Sequence, residues 1–248
     1  MLIDIHTHLT YGQHDKDIDE VIERARKANV TIIVNAGTSP EQNRKSLKLA
    51  KKYDIVKPAL GFYPIEMLEY SDEDIDKELK WISKQKPIAL SEIGIDYHYD
   101  KTHHDKQKQN LMKFIKLSEK MKVPMIVHSR DAEQDVIDLL QSSNCKKVVM
   151  HCFSGTIDQL KKIYDNGWYI SIPTSICLRK SFRKILKNIP LERVFTETDA
   201  PWMSPFPDVK RNEPAFIIEA VKKIAQLKKI TFEETEKIVY MYYQKLFL

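Results

Sequence analysis

The sequence predicts a single-domain α/β protein, a (β/α)8 TIM barrel with an extra C-terminal helix, and two patterns carry that prediction. Eight short apolar, β-branched runs alternate with longer polar segments of helical periodicity along the chain. Several of those runs also hold their charged or imidazole residue only at the C-terminal end, after an apolar body suited to a parallel strand buried on both faces.

Strands are expected at Leu2 to His6, Val30 to Ala36, Ile55 to Gly61, Ile88 to Glu92, Pro124 to His128, Lys147 to His151, Trp168 to Ile172 and Val194 to Thr198. Amphipathic helices are expected between them, for example over Asp17 to Ala28, Glu41 to Lys52, Asp72 to Ser83 and Lys106 to Lys122. In the last, Leu111, Ile115 and Ser118 share one stripe with Met112 beside it. Helical crossovers return the chain to the same end of the sheet each time, so the strands must be parallel. The helical pattern continues past the eighth strand through Pro214 to Lys228 and Phe232 to Gln244, which doubles the closing helix. No linker or repeat interrupts the 248 residues, so residues 1–248 read as one domain.

Composition narrows the function classes. With 42% hydrophobic and 30% charged residues, disordered, collagen-like and mucin-like chains are excluded. Forty Lys and Arg against 35 Asp and Glu leave a net charge of +5, too little for a protein that coats nucleic acid yet compatible with local handling of an anionic substrate. Cys145, Cys152 and Cys177 form neither a C-x-x-C pair nor an even disulfide framework, which favours a reducing compartment. Without a signal-peptide pattern at the N-terminus or an apolar run near membrane-spanning length, a cytoplasmic protein with no membrane association is expected.

The chemistry-bearing residues gather at strand ends, and the C-terminal face of such a barrel is where active sites are built. His6 and His8 form H-x-H at the end of the first strand, and side chains two apart on a strand share a face. Alone, the pair is equally explained by two structural histidines. His128 and His151 end the fifth and sixth strands, so four of the eight histidines fall at one rim, where imidazoles without partners are costly to bury. Glu92 ends the fourth strand and Asp199 follows the eighth. A buried carboxylate demands a cation: an arginine serves, but four imidazoles and two carboxylates match divalent metal better. Six ligands exceed what one tetrahedral ion uses, which implies two ions.

Arg130 and Arg211 offer bidentate forks to phosphate, or ion pairs to Asp131 and Glu213. Arg179, Lys180, Arg183 and Lys184 line one side of a helix, either as a solvated face or as an attractor of polyanion. His98, His103 and His104 read as surface or outer-sphere groups, and Cys152 as packing.

At these residues the chain resembles the TatD family of metal-dependent hydrolases, within the amidohydrolase-like superfamily. The matching strings are Ile3-Asp4-Ile5-His6-Thr7-His8-Leu9, Glu92-Ile93-Gly94-Ile95-Asp96-Tyr97, His128-Ser129-Arg130-Asp131-Ala132, His151-Cys152-Phe153-Ser154-Gly155, Glu197-Thr198-Asp199-Ala200-Pro201 and Arg211-Asn212-Glu213-Pro214-Ala215. The resemblance implies a deoxyribonuclease that hydrolyses DNA phosphodiesters from an end with two divalent ions, Mg, Mn or Zn. It implies that His6, His8 and Asp199 hold one ion, His128 and His151 the other, with Glu92 bridging and Asp199 accepting the proton of the attacking water. The family's Gly-x-His-Pro is here Gly61-Phe62-Tyr63-Pro64, so a phenol that titrates near 10 stands where an imidazole would approach substrate. A hydrolase of C–N or aminoacyl-ester bonds, and a metal-binding module without turnover, are the alternatives.

Overall fold

Eight parallel strands lie in one sheet in the order β1 to β8, each paired with its sequence neighbour. The computed structural model describes residues 1–248. The strands are β1 (Leu2–Thr7), β2 (Val30–Ala36), β3 (Val56–Leu60), β4 (Ala89–Asp96), β5 (Met125–Arg130), β6 (Val148–Met150), β7 (Tyr169–Pro173) and β8 (Val194–Glu197). The crossovers are α1 (Ile18–Lys27), α2 (Pro40–Lys52), α3 (Asp72–Ile82), α4 (His104–Met121), α5 (Glu133–Gln141), α6 (Ile157–Asp165) and α7 (Lys180–Lys187), followed by α8 (Ile217–Lys228) and α9 (Phe232–Phe247). Pro214–Phe216, expected within the first closing helix, forms a separate 3-10 turn before α8.

Local chemistry sets several helix boundaries. Ser39 accepts a hydrogen bond from the Gln42 amide, with Pro40 in the first turn of α2. Thr156 with Gln159, and Thr231 with Glu234, form reciprocal capping boxes at the starts of α6 and α9. A single contiguous core of 60 buried residues runs through barrel and helices. α9 packs against β1 and β8, burying Val239, Tyr243, Leu246 and Phe247, each worth about 1.5 to 3 kcal/mol in transfer terms.

Two features of the barrel position the site. The β8/β1 seam is closed by Thr196 Oγ1 donating to the Ile3 carbonyl at 2.7 Å, by the Asp199 amide donating to the His6 carbonyl at 3.0 Å, and by the His8 amide donating to the Ala200 carbonyl at 2.8 Å. These bonds bring residues almost 200 positions apart to one point. β4, moreover, does not end at Glu92 but runs on to Asp96, pairing Gly94 with His128 and Asp96 with Arg130. Gly94 permits this: its φ is +149°, and a Cβ there would lie 2.0 Å from the His128 carbonyl oxygen. β5 likewise continues past His128, so these two site residues lie within strands rather than at their ends. No helix is long and apolar enough to cross a membrane.

Candidate metal centre

Six side chains from five strands or their ends converge inside the C-terminal mouth of the barrel. His6 from β1 and His8 just beyond it bring their Nε2 atoms to 3.0 Å. Oε2 of Glu92 lies 3.3 Å from Nε2 of His8 and 4.0 Å from that of His6, while Oδ1 of Asp199 lies 3.5 and 3.8 Å from the same atoms. The other oxygen of Glu92, Oε1, lies 2.9 Å from Nδ1 of His128 and 3.3 Å from Nε2 of His151. His128 Nδ1 and His151 Nε2 are 3.2 Å apart. One carboxylate thus faces two histidine pairs, one with each oxygen.

This donor set fits cations. Two imidazole nitrogens 3.0 to 3.2 Å apart cannot both present lone pairs to each other unless a proton or a metal ion lies between them. Mixed imidazole and carboxylate donors suit divalent ions of borderline to hard character. The triads His6, His8 and Glu92, then Glu92, His128 and His151, and also His6, His151 and Asp199, each place three donor atoms within 4.8 Å of one another.

Electrostatics divide the histidines. Burial holds His6 well below its ordinary pKa, reinforced by the imidazoles of His151 and His8. Burial would also lower His151 and His128, but the carboxylates of Glu197 and Glu92 hold His151 well above its ordinary value, and Asp96 and Glu92 raise His128. Burial would raise Glu92, yet its hydrogen bonds to His128 and His151 outweigh that and keep it ionised.

The centre opens onto a cleft of about 710 Å³. His6 is fully buried, and the other five reach the cleft wall. The same cleft is lined by Tyr11, Tyr63, Tyr99 and Trp202 together with Arg130, Arg179 and Lys210. The Trp202 ring, 45% exposed, stands edge-on to His8 at 5.3 Å and to Tyr11 at 5.2 Å. The Arg130 guanidinium lies 5.0 Å from the centre of the exposed Tyr99 ring, and Asp131 faces His98 instead.

Tyr63 lines the cleft, but its hydroxyl donates to Oδ2 of Asp96 at 2.6 Å, and burial with the nearby Glu92 and Asp96 charges raises its pKa. Arg211 is placed apart from the cleft wall. It forms a bidentate pair with Asp17 at 2.6 Å per bond, while Glu213 pairs with Arg24. Within the expected basic face, Arg179 reaches the cleft but Arg183 donates to the carbonyls of Ile176 and Cys177. Cys152 reaches the cleft wall as well as packing on the core. His103 pairs with Asp100, and His104 stacks on Tyr97.

Three buried acids escaped the sequence reading. Asp96 faces Nε2 of His128 at 2.9 Å. Glu197 lies 3.4 Å from Nδ1 of His151 and accepts from Ser171. Asp4 accepts from the Thr198 hydroxyl and amide, and burial pushes it up to about 8. The available signal for Asp96 is the continued alternation of Glu92, Gly94 and Asp96 along one strand face.

Residues 3–248 match the sequence model of the family described as TatD related DNase. The chain is 34% identical to the uncharacterized metal-dependent hydrolase YabD of Bacillus subtilis, over 100% of this chain and 99% of that protein. It is 34% identical to the human deoxyribonuclease TATDN3, over 99% and 94% respectively. The fold superposes on the crystal structure of YjjV, a TatD homolog of Escherichia coli, with a TM-score of 0.93 and 25% identity, over 99% of this chain and 97% of that one. With a matching family over nearly every residue, full-length relatives at this identity and the same barrel, the chain belongs to the TatD related DNase family of metal-dependent hydrolases.

Proposed function

We propose that residues 1–248 form one metallohydrolase domain that cleaves DNA phosphodiesters from a strand end with two divalent ions, Mg, Mn or Zn. The observation that carries this reading is the division of Glu92, one oxygen toward His6 and His8, the other toward His128 and His151. In this reading Glu92 would contribute to holding both ions, with His6, His8 and Asp199 holding one and His128 and His151 the other. Ions held there supply Lewis acidity to a phosphoryl oxygen and acidify water.

The chain's own groups do the rest. Asp199 is the most solvent-accessible carboxylate of the set, its side chain 16% exposed, and it takes the proton of the attacking water within hydrogen-bond reach. Arg130 presents its guanidinium to phosphate, with Arg179 and Lys210 lending positive charge along the cleft. Trp202 and Tyr99 offer ring faces to unpaired bases, and base stacking of this kind is tolerant of sequence. The buried donors of the centre beside the exposed rings of Trp202 and Tyr99 favour a single-strand end over the interior of a duplex. Three free cysteines favour a reducing compartment.

A hydrolysis panel across Mg, Mn and Zn tests the reading. It contains single-stranded and duplex DNA, RNA, an aminoacyl ester and a cyclic amide. Metal-dependent release of nucleotides from single-stranded DNA is expected. Turnover of the amide or ester alone would replace the nuclease reading, and no turnover with both ions bound would favour a binding module.

A further inference from the structure

The carboxylate of Asp96 is fully buried on β4 and uses its two oxygens differently. Oδ1 accepts the backbone amides of His98 at 2.9 Å and Tyr99 at 3.0 Å. Oδ2 accepts the Tyr63 hydroxyl at 2.6 Å and faces Nε2 of His128 at 2.9 Å. The opposite nitrogen of that ring, Nδ1, is the one that faces Glu92 and His151.

We propose that Asp96 is a positioning residue: it keeps the proton of His128 on Nε2, so that Nδ1 presents its lone pair to the half of the centre formed by Glu92 and His151. The inference rests on the two-ion reading above. Both oxygens of Asp96 already act as acceptors, Oδ1 for two backbone amides and Oδ2 for the Tyr63 hydroxyl, so the 2.9 Å contact is completed by Nε2–H donating to Oδ2. That oxygen cannot swing away, because Oδ1 is tied to two amides and the β4/β5 pairing places Gly94 opposite His128. Oδ2 has lone pairs enough for both donors, so Tyr63 loads the same oxygen without displacing the imidazole. The outer partner of a metal-ligating histidine commonly fixes both tautomer and ring orientation in this way.

Asp96→Asn tests it because the substitution preserves shape and reverses one group. The two backbone amides still need an oxygen at the Oδ1 place, which puts the new NH2 against Nε2. A donor there forces the imidazole proton onto Nδ1, where it points into the centre. Stepwise Zn2+ binding to the full chain, read against a chromophoric chelator, should give two ions for wild type. Asp96→Asn should hold one within about threefold of wild type and bind the other roughly 10- to 100-fold more weakly. Tyr63→Phe, which leaves both Asp96 anchors and the His128 contact in place, should keep both within about threefold. Long-range 1H–15N spectra of zinc-loaded wild type should show His128 protonated at Nε2, a readout that stands even if Asp96→Asn does not fold.

Asp96→Asn binding both ions as wild type does, losing both in parallel, or His128 bonded to zinc through Nε2 would each overturn the inference. A wild type that takes fewer than two ions would instead remove the two-ion reading, and this inference with it.

Discussion

Oε1 of Glu92 lies 2.9 Å from Nδ1 of His128, on the side of the carboxylate away from His8, whose Nε2 lies 3.3 Å from Oε2. A single side chain therefore couples the two histidine pairs, and neither pair keeps its full donor set without it.

Glu92→Gln replaces one of these oxygens by a donor while conserving volume. Metal content should fall from two ions per chain to one or fewer. Turnover should fall by more than the roughly 100-fold typical of losing an outer partner of a metal ligand. Elemental analysis beside kcat decides it, and an unchanged metal content removes Glu92 as the shared ligand.

Arg130→Ala should leave metal content at the wild-type value and lower kcat/KM on an oligonucleotide about tenfold, equivalent to about 1.4 kcal/mol of lost charge-assisted contact. The guanidinium lies in the cleft over the Tyr99 ring, so the loss should fall mainly on KM. An equal loss on a neutral ester would mark Arg130 as structural.

Trp202→Ala should weaken single-stranded oligonucleotide turnover by about tenfold or more, because stacking one base on an aromatic ring contributes roughly 1 to 3 kcal/mol. An oligonucleotide with an abasic end should be cleaved equally by wild type and variant. A penalty that is the same on both substrates would show that Trp202 holds His8 and Tyr11 in place and does not contact a base.

His14 gives a stability prediction independent of catalysis. Its ring is fully buried, neither nitrogen has a partner, and burial, aided by the Arg211 charge against the opposing pull of Asp17 and Glu213, lowers its pKa to about 4. A depressed histidine is neutral when folded and gains its proton first in the unfolded chain. Stability is therefore fully present above the unfolded pKa near 6.5 and is lost as pH falls toward 4. His14→Phe should remove that dependence, so that the variant gains on wild type by on the order of 2 kcal/mol between about pH 7 and pH 4. Denaturant melts of both proteins at the two pH values measure it, and parallel pH curves would show that His14 is solvated.

The barrel was legible because its signal is local and repeated. Most strand bodies are predominantly apolar, the crossovers carry helical periodicity, and the alternation predicts parallel strands without any tertiary knowledge. The six convergent residues were legible for a related reason: each stands at or near the C-terminal end of an apolar strand run, and in a parallel barrel those ends face one mouth, although Glu92 and His128 lie a few residues inside β4 and β5. What strand periodicity and residue type cannot encode is which groups meet across the interior. Arg211 and Asp17 are 194 residues apart and bond because the segment after β8 folds back on the start of α1. Asp96 was hidden by an expected strand end at Glu92, and only the Gly94 pairing that carries β4 onward beside β5 sets it against His128. The sequence alone determined the strands, their order and the kind of atoms at the mouth. The tertiary structure decided which oxygen faces which nitrogen, because angstrom-scale distances between remote residues arise from strand register and seam closure and leave no trace in local periodicity.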